Sequence, residues 1–327
     1  MPSPLTDKAY GCLMGLMCGD ALGAPIEFHS PEDLREHFPH GVSDMVSDWN
    51  ATNCRQKGEI TDDSEMAIAL LRSLVNAGGF SAGETQAQYK HWLQTGPDDV
   101  GITISGALRG HMNPDSQANG ALMRVAPLGI YAALHPDFDW MAAAKGDCQL
   151  THIHPRCIAA NIIYVESIIL ALQGQEPQNI YAAACQRANE LGDAALSQRL
   201  RLASTEEPAY YPNVGWVEIA FHCAYYWLLH GKDYSQAMCA IVNRIGDPDT
   251  NAAIAGALLG AVLGSQGIPF SWQQAVLGFH NRRPVEYHAS TAMQLLSKLL
   301  NAPAPTSNNI PEKTAANSQE DHDSHRH

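Results

Sequence analysis

The chain has 327 residues, 45% of them hydrophobic, and a formal net charge of −14 at pH 7. That acidity argues against nucleic acid as a partner, because phosphate binding needs a basic surface. The length suits one large core or two small domains, and no apolar run approaches the roughly 20 residues of a membrane-spanning helix.

Apolar periodicity is helical nearly throughout, and no series of alternating strands appears. Helices are expected over about 7–22, 63–77, 82–94, 101–110, 119–134, 155–173, 177–190, 213–230, 234–244, 250–265, 271–279 and 287–301, with Gly and Pro marking the gaps. The fold class is therefore all-α, a single compact multi-helix domain over 1–301. From about 302 to 327 prolines and a polar, histidine-containing run replace the apolar pattern, which reads as a disordered tail.

The N-terminus lacks the basic-then-apolar pattern of a secretory signal. The eight cysteines are scattered without a CxxC pair, six of them within apolar helical patterns (Cys12, Cys18, Cys157, Cys185, Cys223 and Cys239). Reduced thiols, a cytoplasmic location and no membrane association are the expectation.

Two helices carry glycine at every fourth position: Gly11, Gly15, Gly19 and Gly23 near the start, Gly256, Gly260 and Gly264 late in the chain. Four-residue spacing lines one helix face. Glycine costs a helix roughly 1 kcal/mol relative to alanine, and close approach of two backbones is the usual compensation. The two helices are expected to pack at short distance, bringing Asp20 and Glu27 near Asp247 and Asp249.

Two acidic stretches stand out, Thr61-Asp62-Asp63 and Gly246-Asp247-Pro248-Asp249-Thr250, each running into a helical pattern. Asp and Thr are good helix N-caps, so each stretch alone has an ordinary capping reading. Paired carboxylates with threonine hydroxyls also suit hard divalent cations. An EF-hand starting at Asp247 is excluded, because its sixth and twelfth positions hold Ala252 and Leu258 rather than Gly and Glu. Thr151-His152-Ile153-His154-Pro155 has no second Cys/His pair at zinc-site spacing and reads as a helix entry.

Taken in order, Gly19-Asp20-Ala21-Leu22-Gly23-Ala24-Pro25-Ile26-Glu27-Phe28, Gly58-Glu59-Ile60-Thr61-Asp62-Asp63-Ser64, Asp99-Val100-Gly101, Asn119-Gly120-Ala121-Leu122-Met123-Arg124, the Thr151–Pro155 segment and Gly246–Thr250 resemble the ADP-ribosylglycohydrolase family. The resemblance implies an all-α fold with a cleft for two divalent cations, Mg²⁺ or Mn²⁺. It implies Thr61, Asp62, Asp63, Asp247, Asp249 and Thr250 as metal ligands, with Glu27 beside the metals. The ordinary alternative for Glu27 is a surface carboxylate capping the loop at His29-Ser30-Pro31, and Asp20, one turn earlier, reads as structural. Asp99-Val100-Gly101-Ile102-Thr103 is similar to the Asp-Ile-Gly-Asn-Thr segment of the arginine-specific branch, with Ile102 where Asn is common. Asp99 then either pairs with a guanidinium and moves a proton, or caps the helix expected at 101–110.

Asn119-Gly120-Ala121 is expected to open a helix whose N-terminus suits a diphosphate, with an ordinary turn as the default reading of such a Gly-containing loop. Resemblance makes Ser116, Asn119, Gly120 and Ala121 contacts for ADP-ribose and turns His152 toward the ligand; a satisfied buried histidine is the ordinary alternative. The implied activity is metal-dependent removal of ADP-ribose from a modified protein side chain, arginine in the first place, with an ADP-ribosylated protein as partner. A reading of a different class is a protein that binds ADP-ribose or blocks an ADP-ribosyltransferase.

Overall fold

The computed structural model describes residues 3–280 and 282–301, so the tail assigned to 302–327 lies outside the described residues. Fifteen α-helices and two short 3-10 turns make up the regular structure of these residues. In chain order the helices are α1 (Pro4–Gly23), α2 (Pro31–His37), α3 (Asp62–Ala77), α4 (Ala82–Gln94), α5 (Ile102–Leu108), α6 (Ala126–Leu134), α7 (Trp140–Gln149), α8 (Pro155–Leu172), α9 (Pro177–Leu191), α10 (Ala194–Ala203), α11 (Val217–His230), α12 (Tyr234–Val242), α13 (Pro248–Leu263), α14 (Phe270–Gly278) and α15 (Ala289–Asn301).

The molecule is built around α1 and α13. From Gly11 to Gly23 α1 has no exposed face, and α13 is buried from Pro248 to Ala261. Their glycine rows meet in antiparallel register. A Cβ placed on Gly15 would lie 2.2 Å from the Gly256 carbonyl oxygen, and one on Gly260 would lie 2.1 Å from that of Gly11. Further along, Gly19 faces Ala252 and Gly23 faces Asp249. The spacing of the glycines therefore predicts the seam correctly, and the antiparallel register sets the C-terminal end of α1 against the N-terminal end of α13. Side chains close the seam from outside: the Tyr234 hydroxyl donates to the Gly15 carbonyl at 2.5 Å and that of Tyr164 to Ile254 at 2.7 Å.

Several expected boundaries move. The helices α2, α7 and α10 fall in stretches read as loops, and each is short and starts at a polar cap: Ser30, Asp139 and Asp193 accept from a backbone N–H in the first turn. The expected helix 119–134 starts only at Ala126, with Pro127 in its first turn. Asn119–Arg124 is a run of turns, so no helix N-terminus stands behind Asn119-Gly120-Ala121. The expected helix 213–230 begins at Val217, leaving Asn213–Trp216 as a loop. That loop pairs with the segment before Asn119: Asn119 N–H donates to the Gly215 carbonyl at 3.0 Å and Val217 N–H to that of Gln117 at 2.9 Å.

Helix α8 is long and apolar enough to cross a membrane by length and composition, contrary to the expectation from apolar runs. It is a core helix, two-thirds buried and packed on α6, α7, α9 and α13. All eight cysteines are free; Cys12, Cys18, Cys148, Cys157 and Cys223 are buried, Cys185 and Cys239 half-buried, and Cys54 exposed.

Candidate metal centre and cleft

Asp20, in the last turn of α1, is the foundation of the site. It is fully buried, and its carboxylate accepts from Thr61 N–H at 3.0 Å, Thr61 Oγ1 at 2.9 Å, Ser64 N–H at 3.2 Å and the Ser64 hydroxyl. One carboxylate thus ties the start of α3 to the end of α1. Burial raises its pKa to about 6 in spite of those hydrogen bonds.

The capping readings of the two acidic stretches fail. Thr61 occupies the N-cap position of α3 and Asp247 that of α13, yet neither side chain accepts a capping hydrogen bond from its helix. Thr61 Oγ1 reaches toward Asp20 and Asp63, and Asp247 Oδ2 accepts from Asn119 Nδ2 at 2.6 Å. Asp99 does not cap α5 either; Gly101 holds that position.

The freed carboxylates gather in two overlapping groups. Oxygen atoms of Asp20, Asp63 and Asp249 lie within 4.8 Å of one another, as do those of Glu27, Asp99 and Asp249. Asp249 belongs to both and joins the α1–α3 side to the α13 side. Asp62, Asp247 and Thr250 line the same cleft. The crowding is costly without a counter-charge. The Glu27 pKa is raised to about 9 by burial and by the charges of Asp99, Asp247 and Asp62. Burial and neighbouring carboxylates push Asp62, Asp63 and Asp249 well above the usual carboxylate range, and burial raises Asp247.

A test of whether cations fit comes from the oxygens themselves. Asp63 Oδ1 and Asp249 Oδ1 are buried and have no hydrogen-bond partner. Orphaned buried carboxylate oxygens are rare because each forfeits its hydration. Their chemistry, hard oxygen donors in a like-charged cluster, suits a hard divalent cation.

The cleft above this cluster has a volume of about 380 Å³. Glu27, Asp62, Asp99, Asp247, Asp249 and Thr250 form its acidic floor, while Asn119, Gly120 and His152 lie in its wall. Thr61 and Asp63 sit below the surface, both buried. Two expected contacts are set back. Ser116 Oγ pairs with Thr103 Oγ1 at 2.7 Å, Ala121 is fully buried, and neither lines the cleft. Gly120 is packed so closely that an added Cβ would lie 2.8 Å from Ile104 Cδ1 and 3.3 Å from His152 Cε1. His152 is fully buried, its Nδ1 lies 2.8 Å from Thr151 Oγ1, and its Nε2 has no partner. Burial and Arg124 lower its pKa to about 3, so the ring is neutral.

Sequence reading missed the loop that braces the acidic floor. Asp48 accepts from Asn53 N–H at 3.0 Å and Cys54 N–H at 2.7 Å. Asn53 Nδ2 in turn donates to the carbonyls of Ala24 at 2.7 Å and Glu27 at 2.9 Å. Arg55 then reaches Asp99, Nη2 to Oδ2 at 3.6 Å. The polar run Asp48-Trp49-Asn50 through Arg55 was the available signal, but its target is set only by the fold.

A family model described as ADP-ribosylglycohydrolase matches residues 1–306. Relatives include an ADP-ribosyl-(dinitrogen reductase) glycohydrolase of Rhodospirillum rubrum, 30% identical over 277 residues, covering 81% of this chain and 89% of the relative. The ADP-ribosylarginine hydrolase Tri1 of Pseudomonas putida is 26% identical over 298 residues, covering 84% and 76%. The human ADP-ribosylhydrolase ARH3 is 26% identical over 325 residues, covering 82% and 89%. A solved structure titled as an ADP-ribosylglycohydrolase-related protein complex superposes with a TM-score of 0.75 at 24% identity, covering 91% of this chain and 98% of that one.

Proposed function

The chain belongs to the ADP-ribosylglycohydrolase family, and from that premise we propose that it hydrolyses the N-glycosidic bond between ADP-ribose and an arginine side chain, reversing mono-ADP-ribosylation of a protein. The observation that carries the reading is the convergence of Asp63 and Asp249, from opposite parts of the sequence, on one cluster whose buried oxygens lack partners.

In this reading Thr61, Asp62, Asp63, Asp247, Asp249 and Thr250 hold two divalent cations, Mg²⁺ or Mn²⁺. When bound, such ions lower the pKa of a coordinated water and polarise ribose oxygens. The residues of the chain supply the rest. Asp99, half-buried in the cleft floor, pairs with the guanidinium of the modified arginine. Glu27 or Asp99 takes the proton from the attacking water and returns one to the leaving nitrogen. Asn119 orients Asp247 while its backbone and that of Gly120 face the ADP-ribose. The neutral His152 offers Nε2 to a ribose or phosphate oxygen from a dry wall. Ser116 and Ala121 support this wall from behind.

Release of ADP-ribose from a protein ADP-ribosylated on arginine tests the reading, with Mg²⁺, with Mn²⁺ and with chelator. Metal-dependent release that vanishes in both Asp62→Ala and Asp249→Ala is the expected result. Undiminished release in chelator would refute the metal assignment. Neither release nor metal binding in the wild type would favour a protein that binds ADP-ribose or blocks a transferase.

A further inference from the structure

Arg55 brings a guanidinium of the chain's own to the carboxylate assigned to the substrate's guanidinium. Its two ends are held differently. Nη1 donates to Glu59 Oε1 at 3.2 Å, and the other Glu59 oxygen is fixed by Gln56 N–H at 2.9 Å. Nη2 lies 3.6 Å from Asp99 Oδ2, an ion pair beyond hydrogen-bond length. Glu59 is therefore the anchor and Asp99 the loose partner. The Arg55 side chain is 12% exposed and that of Asp99 is 26% exposed, so the contact is largely shielded from water.

The surroundings give the guanidinium room. Arg55 and Glu59 border a surface depression of about 540 Å³. A narrow crevice lined by Arg55, Asp62 and Asp99 lies between that depression and the cleft. A guanidinium that leaves Asp99 remains paired with Glu59 at the edge of the depression.

We propose that Arg55 is a built-in stand-in for the substrate guanidinium: it neutralises Asp99 in the empty enzyme, an ADP-ribosylated arginine displaces it, and the exchange sets how strongly the cleft prefers arginine-linked ADP-ribose. The proposal rests on the arginine reading given above. Its physical basis is that leaving a shielded carboxylate unpaired is expensive, whereas exchanging one guanidinium for another is cheap. A ligand without a guanidinium leaves Arg55 where it is.

The test compares two affinities in the Mg²⁺-loaded enzyme: KM for an arginine-linked ADP-ribosyl peptide and Kd for free ADP-ribose, which carries no guanidinium. Their ratio reports the acceptor side alone. Arg55→Gln removes the competing cation and shifts the ratio in favour of the peptide by roughly tenfold. Glu59→Gln frees Arg55 for Asp99 and shifts the ratio the other way. Arg55→Lys, which keeps a cation, stays near wild type. Opposite signs for the first two variants cannot come from loss of structure, which would weaken both ligands. A ratio unmoved by Arg55→Gln, or moved the same way by both variants, overturns the proposal while wild-type turnover of the peptide stands. No wild-type turnover of the peptide overturns the arginine reading and this inference with it.

Discussion

The two halves of the acidic site are held in place by different forces. On the α3 half, side-chain chemistry does the holding: Asp20 gathers donors from Thr61 and Ser64, and Thr61 Oγ1 also reaches Asp63. On the α13 half, the backbone does it. Gly23 leaves so little space that an added Cβ would lie 2.3 Å from Asp249 N, and Asn119 supplies one bond to Asp247. A polar anchor can be weakened by degrees, whereas a seam of touching backbones has no intermediate state.

The seam should therefore break hardest. Gly15→Val forces a side chain against the Gly256 carbonyl and should cost at least ~3 kcal/mol, or abolish folding, because backbone cannot move aside as a side chain can. Denaturant unfolding measures it, and a loss under about 1 kcal/mol would mean that the seam is not rigid.

The polar anchor comes next. Asp20→Ala leaves Thr61 and Ser64 donors without their acceptor in a buried site and should cost about 2 to 3 kcal/mol. The same substitution should weaken metal binding, read by calorimetry, since the start of α3 loses its tether.

The pH dependence separates the carboxylates from the histidine. Glu27 and Asp20 have folded pKa values raised to about 9 and about 6 from ordinary values of 4.5 and 3.8. Their folded state binds protons more tightly, so their contribution is fully present below the ordinary values and is lost as pH rises through the folded ones. His152 works the other way. Its pKa falls from 6.5 to about 3, so its contribution is present above 6.5 and is lost as pH falls toward 3. Metal-free protein should lose several degrees of Tm between about pH 6 and 9, and saturating Mg²⁺ should flatten that slope. Thermal melts in chelator and in Mg²⁺ check both limbs, and His152→Asn should remove only the acidic one.

The smallest effect is expected at the Asn119–Asp247 bond on the α13 side. Asn119→Ala should cost about 1 kcal/mol, because Asp247 keeps Thr250 as a partner. A loss as large as that of Asp20→Ala would erase the difference between the two halves.

How much of this was legible in the sequence follows the same division. Glycines at every fourth position announce a close helix pair, and their facing rows place the acidic ends together without further information. The acidic stretches were visible because clustered Asp and Thr are uncommon outside caps and metal sites. The turns at Asn119–Arg124 were hidden, since their apolar residues mimic a helix and only Pro127 marks where α6 begins. The helices α2, α7 and α10 escaped the sequence reading although α12 and α14, which it found, are of similar length. Asp20 was read as structural and as brought near Asp249 by the glycine seam; its bonds to α3 agree with the first, and its oxygen in the Asp63–Asp249 cluster with the second. The role of Arg55 was invisible for another reason: Glu59 lies only four residues on, but nothing local specifies Asp99 on the other side.

The central claim, that two distant acidic stretches form one cation site, is tested most directly by the thermal response to metal of the wild type, Asp63→Asn and Asp249→Asn. Each substitution removes one like charge from a crowded cluster, so each metal-free variant should melt at or above the metal-free wild type. The wild type should gain stability with millimolar Mg²⁺ or Mn²⁺, and each single variant should lose most of that gain. A full metal response in either variant would show that the two stretches do not share a site.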